Sequence, residues 1–310
     1  MGMRVLVTGN LGFIGSHLVP RLIEQGHEVF GLERYVTGRY TQFARDVTTL
    51  YADITDFHST RQAVAESRPD ILIHLAAISA NSYAYNHPHE VLNTNYLGTV
   101  NLAEACMREL PSFQHFLYAG SSEEYGSNPN PPFTEESQVL PHSPYAVAKV
   151  ASDLYLRYLY RAYGFPATVL RNFNTYGRKD NKHFAVEKVV TQALQGREIH
   201  MGDPTPVRDF MYVDDHVDAY LAVMAQREKA LGEVFNFCTG IPTTIARLMG
   251  LVVELTGFEG KMFWKTIPTR PLDIKVLVGN ATKAQTTLGW KAKYELSEGL
   301  KRTIEFWRNK

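Results

Sequence analysis

The sequence predicts an α/β protein built on a doubly wound parallel sheet, with a smaller C-terminal lid domain. Three observations predict it. Over the first 120 residues, short continuous apolar runs alternate with helical patterns. Buried parallel strands read as such runs, and the helices between them read as crossovers. A glycine-rich turn, "TGNLGFIG", follows the first run and opens the first helix. The second run ends in a carboxylate, Glu33.

Taken in order, "RVLVTG" is the first strand and "HLVPRLIEQG" a helix closed by Gly26. "EVFGLE" and "TTLYADI" are the second and third strands. "RQAVAESR" is helical and "DILIHLAA" is the fourth strand. "PHEVLNTNYLGTVNLAEACMREL" carries a long helical period before the strand "FQHFLYAGS". A proline-rich loop leads to a helix from about Tyr145 to Tyr163, and "ATVLRNFNTYG" is a strand running into a loop. The strand "EVFNFCTG" is expected to return to the main sheet. The expected division is a dinucleotide-binding Rossmann domain at 1–172, to which 208–241 returns, and a mainly substrate-binding part at 173–310.

Bulk composition narrows the class. The chain has 310 residues, is 45% hydrophobic and balances 32 basic against 32 acidic side chains. With no basic excess or basic run, neither nucleic acid nor an anionic membrane is the expected partner. No apolar stretch approaches the roughly 20 residues of a membrane span. Cys106 and Cys238 are too few and too isolated for a disulfide framework or a zinc site, so no metal is expected. They read as buried thiols of a reducing compartment, and the start "MGMRVLVTGN" lacks the form of a signal peptide. The expectation is a cytoplasmic protein.

Gly9, Gly12 and Gly15 fall three apart between strand and helix. Glycines there permit a tight turn, close approach of backbone N–H groups to a pyrophosphate, and close helix–sheet packing. The helix N-terminus adds partial positive charge. Glu33 lies about where a carboxylate accepts hydrogen bonds from the adenosine ribose, which favours NAD. Arg34 follows and would instead suit the extra phosphate of NADP. Asp53 and Ile54, at the end of the third strand, either line the adenine pocket or make a turn.

"SPYAVAKVASDLY" sets Tyr145 and Lys149 one helical turn apart on one face. An ammonium near a phenol is expected to lower its pKa and make tyrosinate a base for a substrate hydroxyl. Ser121, in "GSSEEYG", is placed to hydrogen-bond the same substrate oxygen.

With these motifs together, the chain resembles the extended short-chain dehydrogenase/reductases, in their nucleotide-sugar epimerase/dehydratase branch. The resemblance rests on "TGNLGFIGSHL", "HLAA" at 74–77, "GSSEEYG", "SPYAVAK", "RNFNTYG" at 171–177, "PVRDFMYVDD" at 206–215 and "LGW" at 288–290. It implies Ser121, Tyr145 and Lys149 as the hydride-transfer set. It implies a cofactor surface of Gly9, Gly12, Phe13, Ile14, Gly15, Glu33, Arg34, Asp53, Ile54, Leu75, Ala76 and Ala77, completed by Tyr145 and Lys149. Ser122, Asn174, Arg208 and Arg270 would bind a nucleoside diphosphate sugar. Arg208 beside Asp209 also permits a local salt bridge, and Asn174 a turn. The family further suggests a homodimer through the helices near 90–110 and 145–163.

Glu123 is the discriminating residue. The resemblance makes it the base that removes the C5 proton in 4,6-dehydratases, a position usually small or hydroxylic in 4-epimerases. Where dTDP-glucose-type dehydratases often carry an acid just before it, this chain has Ser122. Decarboxylases and 4-keto-sugar reductases share similar strings. Glu124 should point the opposite way, toward solvent or a partner charge. In the loop "ISANSYAYNHP", Ala84 stands where relatives place a substrate-touching hydroxyl, and His87 and His89 are not expected to act. The expected activity is an NAD-dependent 4,6-dehydratase. The rivals are an epimerase, a reductase or decarboxylase of the same family, and a non-catalytic cofactor-bound scaffold.

Overall fold

Seven parallel strands form the central sheet of the computed structural model, which describes residues 2–35, 47–178, 184–267 and 272–310. The strands are β1 (Arg4–Thr8), β2 (Glu28–Glu33), β3 (Thr48–Tyr51), β4 (Ile71–His74), β5 (His115–Ser121), β6 (Ala167–Asn172) and β7 (Val234–Phe237). Their order is β7-β6-β5-β4-β1-β2-β3. The chain order reverses between β1 and β4, and such a switch point opens a crevice at the carboxyl ends of the strands.

The crossovers are α1 (Phe13–Glu24), α2 (Phe57–Ser67), α3 (Gly98–Glu109) and α4 (Pro144–Tyr163); α5 (Val213–Ala225) precedes β7. Alternate strand residues face opposite layers. Val5, Val7, Ile71, Ile73 and Leu117 pack with Leu18 and Leu22 of α1 and Val217 and Tyr220 of α5. Leu6, Leu72, Phe116 and Tyr118 pack instead with Val64 of α2, Leu102 of α3 and Leu156 of α4. Burial on both faces is why these strands lack polar alternation. The expected return of 234–237 is present: Val234 to Phe237 pair in parallel with Val169 to Asn172.

Helix α4 begins sharply. Ser143 is extended and its side chain accepts the Ala146 N–H, Pro144 occupies the first turn, and Gly164 closes the helix at φ +67°. Ahead of α3 the chain makes one π-helical turn, Asn93–Leu97. Inside it Asn95 is buried, and its side chain binds both the N–H (2.8 Å) and the C=O (3.0 Å) of Ile78. This clasp fixes the loop after β4.

The remaining segments build a second core. Helices Ala185–Gln195, Ile245–Thr256 and Leu296–Arg308 enclose Val189, Val190, Leu248, Val252 and Leu300. The short strand Val207–Arg208 pairs with Thr243–Thr244 and with Val276–Leu277. Asp209, next along, is fully buried and accepts from Thr239 N, Thr239 Oγ1 and Gly240 N at 2.6–2.9 Å.

Candidate active site

The glycine turn lies at the carboxyl end of β1. Gly9 has φ +73°, and a Cβ there would sit 3.0 Å from Ala76 N, so the turn and the "HLAA" loop touch backbone to backbone. A Cβ on Gly15 would lie 2.3 Å from Gly9 O. Phe13 and Ile14 open α1 beside this turn. Leu75 and Ala76 are tied down by Thr8: their N–H groups reach Thr8 O at 3.2 Å and Thr8 Oγ1 at 3.1 Å. Ala77 follows, half-buried. Thr8 Oγ1 also meets His74 Nδ1 at 2.8 Å, and burial drives the His74 pKa down to about 3, so the ring is neutral.

Glu33 accepts the Leu11 N–H at 2.6 Å, so one carboxylate oxygen shapes the turn. Burial raises its pKa, and the Leu11 bond opposes that. Arg34 lies over the Tyr35 ring at 5.0 Å and within 3.9 Å of Glu90. Asp53 accepts from Thr55 N (2.9 Å) and Thr55 Oγ1 (2.8 Å), the turn role that was the alternative to an adenine contact. Ile54 is buried against Gly98, where a Cβ would lie 2.7 Å from its Cδ1.

At the carboxyl end of β5, Ser121 Oγ accepts the Glu123 N–H at 3.2 Å and is hydrogen-bonded to the Tyr145 side chain. Lys149 is buried, with Nζ 5.7 Å from the Tyr145 ring centre, 4.7 Å from the Tyr118 ring centre and donating to Ala119 O at 2.6 Å. Helix α4 and β5 thus bring the three expected side chains together. The expected electrostatics differ. The Tyr145 phenol is pushed up, by burial first and by the charges of Glu123 and Glu124, while Ser121 is the contact that holds it down. Lys149 is engaged by the β5 carbonyl, and burial lowers its own pKa to about 8.

Glu123 and Glu124 face different surroundings, though not through strand alternation: Ser122–Glu124 is a 3-10 turn beyond β5, not the extended backbone the sequence suggested. Glu123 Oε2 lies 2.9 Å from His142 Nε2, and the two side chains are 15% and 5% exposed. Its charge raises the Tyr145 pKa, so the carboxylate lies within electrostatic reach of the phenol. Glu124 is fully buried. Its Oε1 accepts the Ser121 N–H at 2.8 Å and its Oε2 the Arg171 Nε at 3.0 Å. Ser122, between Ser121 and the glutamates, is buried.

The lid side contributes less directly. Asn174 N–H donates to Asp209 O, while its buried Oδ1 has no hydrogen-bond partner among the described residues. Arg208 Nη2 lies 3.5 Å from Asp273, not paired with Asp209, whose carboxylate is consumed by the 239–240 backbone. Arg270 lies outside the described residues. Ala84 is fully buried in the short helix Asn81–Asn86, so it offers no surface to a sugar. The exposed His87 stacks on Tyr83 at 4.1 Å.

Sequence reasoning missed His142, Asp153 and Arg171. The available signals were a histidine three residues before Tyr145, an aspartate one turn beyond Lys149, and an arginine inside the apolar run "ATVLRN". Among the described residues no cluster of metal-ligating side chains occurs, and no helix is long and apolar enough to cross a membrane.

A glycine turn at the end of β1 and a Ser121–Tyr145–Lys149 group at the end of β5 are the arrangement of a dinucleotide-dependent enzyme. The family model described as GDP-mannose 4,6 dehydratase matches residues 6–303. The chain belongs to this family, the NAD-dependent nucleotide-sugar epimerases and dehydratases of the extended short-chain dehydrogenase type, and family members are enzymes. It is 34% identical to the UDP-glucose 4-epimerase of Mycolicibacterium smegmatis over 318 residues, covering 99% of each chain. The UDP-glucose 4-epimerase of Thermotoga maritima, solved with UDP-glucose, superposes with a TM-score of 0.93 at 34% identity and 99% coverage of both chains. The dTDP-glucose 4,6-dehydratase of Streptomyces venezuelae, solved with NAD, superposes at 0.89 with 26% identity, covering 99% of this chain and 97% of that one.

Proposed function

We propose that this chain acts on a nucleoside diphosphate hexose by transient oxidation at C4, and that it is a 4,6-dehydratase. The observation carrying the finer reading is Glu123, a carboxylate held within electrostatic reach of Tyr145 and only 15% exposed.

The glycine turn suits a dinucleotide because it is too tight for side chains, a Cβ at Gly9 or Gly15 meeting backbone at 3.0 or 2.3 Å, and it lies at the N-terminus of α1. Gly9, Gly12 and Gly15 with the N-terminus of α1 would hold the pyrophosphate, and Glu33 the ribose. When bound, NAD supplies hydride acceptance from C4 and hydride return to C6. Tyr145 acts as the tyrosinate, which Ser121 steadies through the hydrogen bond it already makes; its Oη takes the proton of the C4 hydroxyl and becomes the neutral phenol. The C4 ketone acidifies C5–H. Glu123 takes that proton and passes it to the C6 hydroxyl, which leaves as water; once hydride has returned to C6, C5 takes a proton from Tyr145 or solvent, so that every proton removed is accounted for. His142 holds the Glu123 carboxylate in place at 2.9 Å. Asn174, with its unpartnered buried Oδ1, is proposed to meet the substrate, as is Arg208.

A second reading, a 4-epimerase, is favoured by the 34% identity to epimerases. It uses Ser121, Tyr145 and Lys149 but has no step for Glu123. The deciding experiment incubates the protein with UDP-, GDP-, dTDP- and CDP-glucose and substoichiometric NAD, followed by mass spectrometry. Loss of water with a 4-keto product is expected. An unchanged mass with a C4 isomer overturns the dehydratase in favour of the epimerase. In the expected case, Glu123→Gln still reduces bound NAD but loses water at least about a hundredfold more slowly.

A further inference from the structure

Behind the site lies a buried ionic cluster that the reaction does not consume. Arg171 of β6 donates through Nε to Glu124 Oε2 (3.0 Å) and Asp153 Oδ2 (3.0 Å), and through Nη2 to Asp153 Oδ2 (2.6 Å). Its Nη1 reaches Tyr125 OH (3.1 Å) and Glu135 O (3.2 Å). Asp153 stands one turn beyond Lys149 on α4. Glu124 closes a capping box around Ser121, receiving its N–H while the Ser121 side chain receives the Glu123 N–H. Gly120 makes room for this, since a Cβ there would lie 2.9 Å from Glu124 Oε1.

We propose that Glu124 is a positioning residue that fixes Ser121 relative to Tyr145, by joining the Ser121 backbone to helix α4 through Arg171 and Asp153. The inference rests on the C4-oxidation reading but not on the choice between dehydratase and epimerase. One guanidinium faces two carboxyls here, so the cluster is electrically balanced when one proton is retained. Burial and the Asp153 charge push the Glu124 carboxyl up to about 8, against Arg171, which makes it the group that keeps that proton near neutrality. A neutral Glu124 still accepts the Ser121 N–H. Glutamine at this position therefore preserves the positioning contact, and an apolar side chain abolishes it.

The test uses the NAD-loaded protein and single-turnover reduction of the bound nicotinamide by UDP-glucose, then by GDP-, dTDP- and CDP-glucose. Glu124→Val is expected to lower the reduction rate roughly tenfold to a hundredfold with little change in the sugar concentration needed. Glu124→Gln should stay within about threefold of the parent protein. On a Ser121→Ala background the valine change should cost less than about twofold, because its effect passes through Ser121. Hydrogen exchange at the Ser121 amide should quicken in the valine variant and not in the glutamine one. Should the valine variant not fold, Glu124→Met replaces it, and the glutamine comparison stands. Parent-like reduction in Glu124→Val, an equal loss in Glu124→Gln, or full additivity with Ser121→Ala would each overturn the proposal. Reduction by none of the four sugars in the parent protein would instead sink the C4-oxidation reading, leaving amide exchange to judge the Ser121 contact.

Discussion

Glu123 and Glu124 are neighbours in sequence with opposite surroundings, and the contrast sets the chemistry at the scale of single residues. The separation is expected from extended backbone, whereas Ser122–Glu124 forms a 3-10 turn; neither that turn nor the partners were legible, since His142 is 19 positions from Glu123 and Arg171 is 47 from Glu124. The buried carboxyl also has a thermodynamic signature. In the folded state burial pushes the Glu124 carboxyl up to about 8 from its ordinary 4.5, with Arg171 opposing. Between those values the native state keeps a proton that the unfolded chain releases, so this group's contribution makes stability fall as pH rises from about 4.5 to 8. Urea unfolding of Glu124→Gln at pH 5 and pH 8 should show a smaller difference between the two pH values than the parent protein does. Burial pushes the site tyrosine up as well. Ser121 is the contact that lowers the Tyr145 pKa, so Ser121→Ala should move the rise of kcat/KM with pH toward alkaline values. A shift of one unit would slow C4 oxidation about tenfold near neutrality. The sequence placed Lys149 on the right face but suggested that it would act on the phenol. Its ammonium instead meets the Ala119 carbonyl, a contact from another element that helical spacing does not report.

At the scale of elements, the turn after β1 and the start of α4 were readable because their signals are local. Glycine spacing, a capping serine and Pro144 are each a few residues long. The π-helical turn at Asn93–Leu97 was not readable, since its reason is the Ile78 loop that Asn95 clasps. Gly15→Val should abolish NAD binding in a fluorescence titration, because even a Cβ would lie 2.3 Å from Gly9 O. Retained affinity would mean that the turn is not the pyrophosphate cradle. Arg171→Met leaves two buried carboxyls without their cation. It should cost about 3–5 kcal/mol in denaturant unfolding, the scale for breaking one side of a buried ion pair.

At the scale of the molecule, the main sheet was legible as a sequence of periods, while the second core, assembled from distant short pieces, was not. Leu97, Leu154, Tyr158 and Tyr163 are large side chains left 44–63% exposed around α3 and α4. We propose that this face pairs two copies of the chain, and sedimentation at micromolar concentration should give twice the 35.1 kDa mass. A monomer there would remove the proposal. The path of the chain carries a different consequence. After β6 it leaves the sheet, comes back through α5 and β7, and leaves again, with Asp209 stitching the outgoing and returning pieces at 239–240. No single cut separates the central sheet from the second core. A one-junction gene recombination therefore cannot exchange one while keeping the other whole. Changes to either have to arise by substitution in place, within a scaffold kept intact from end to end.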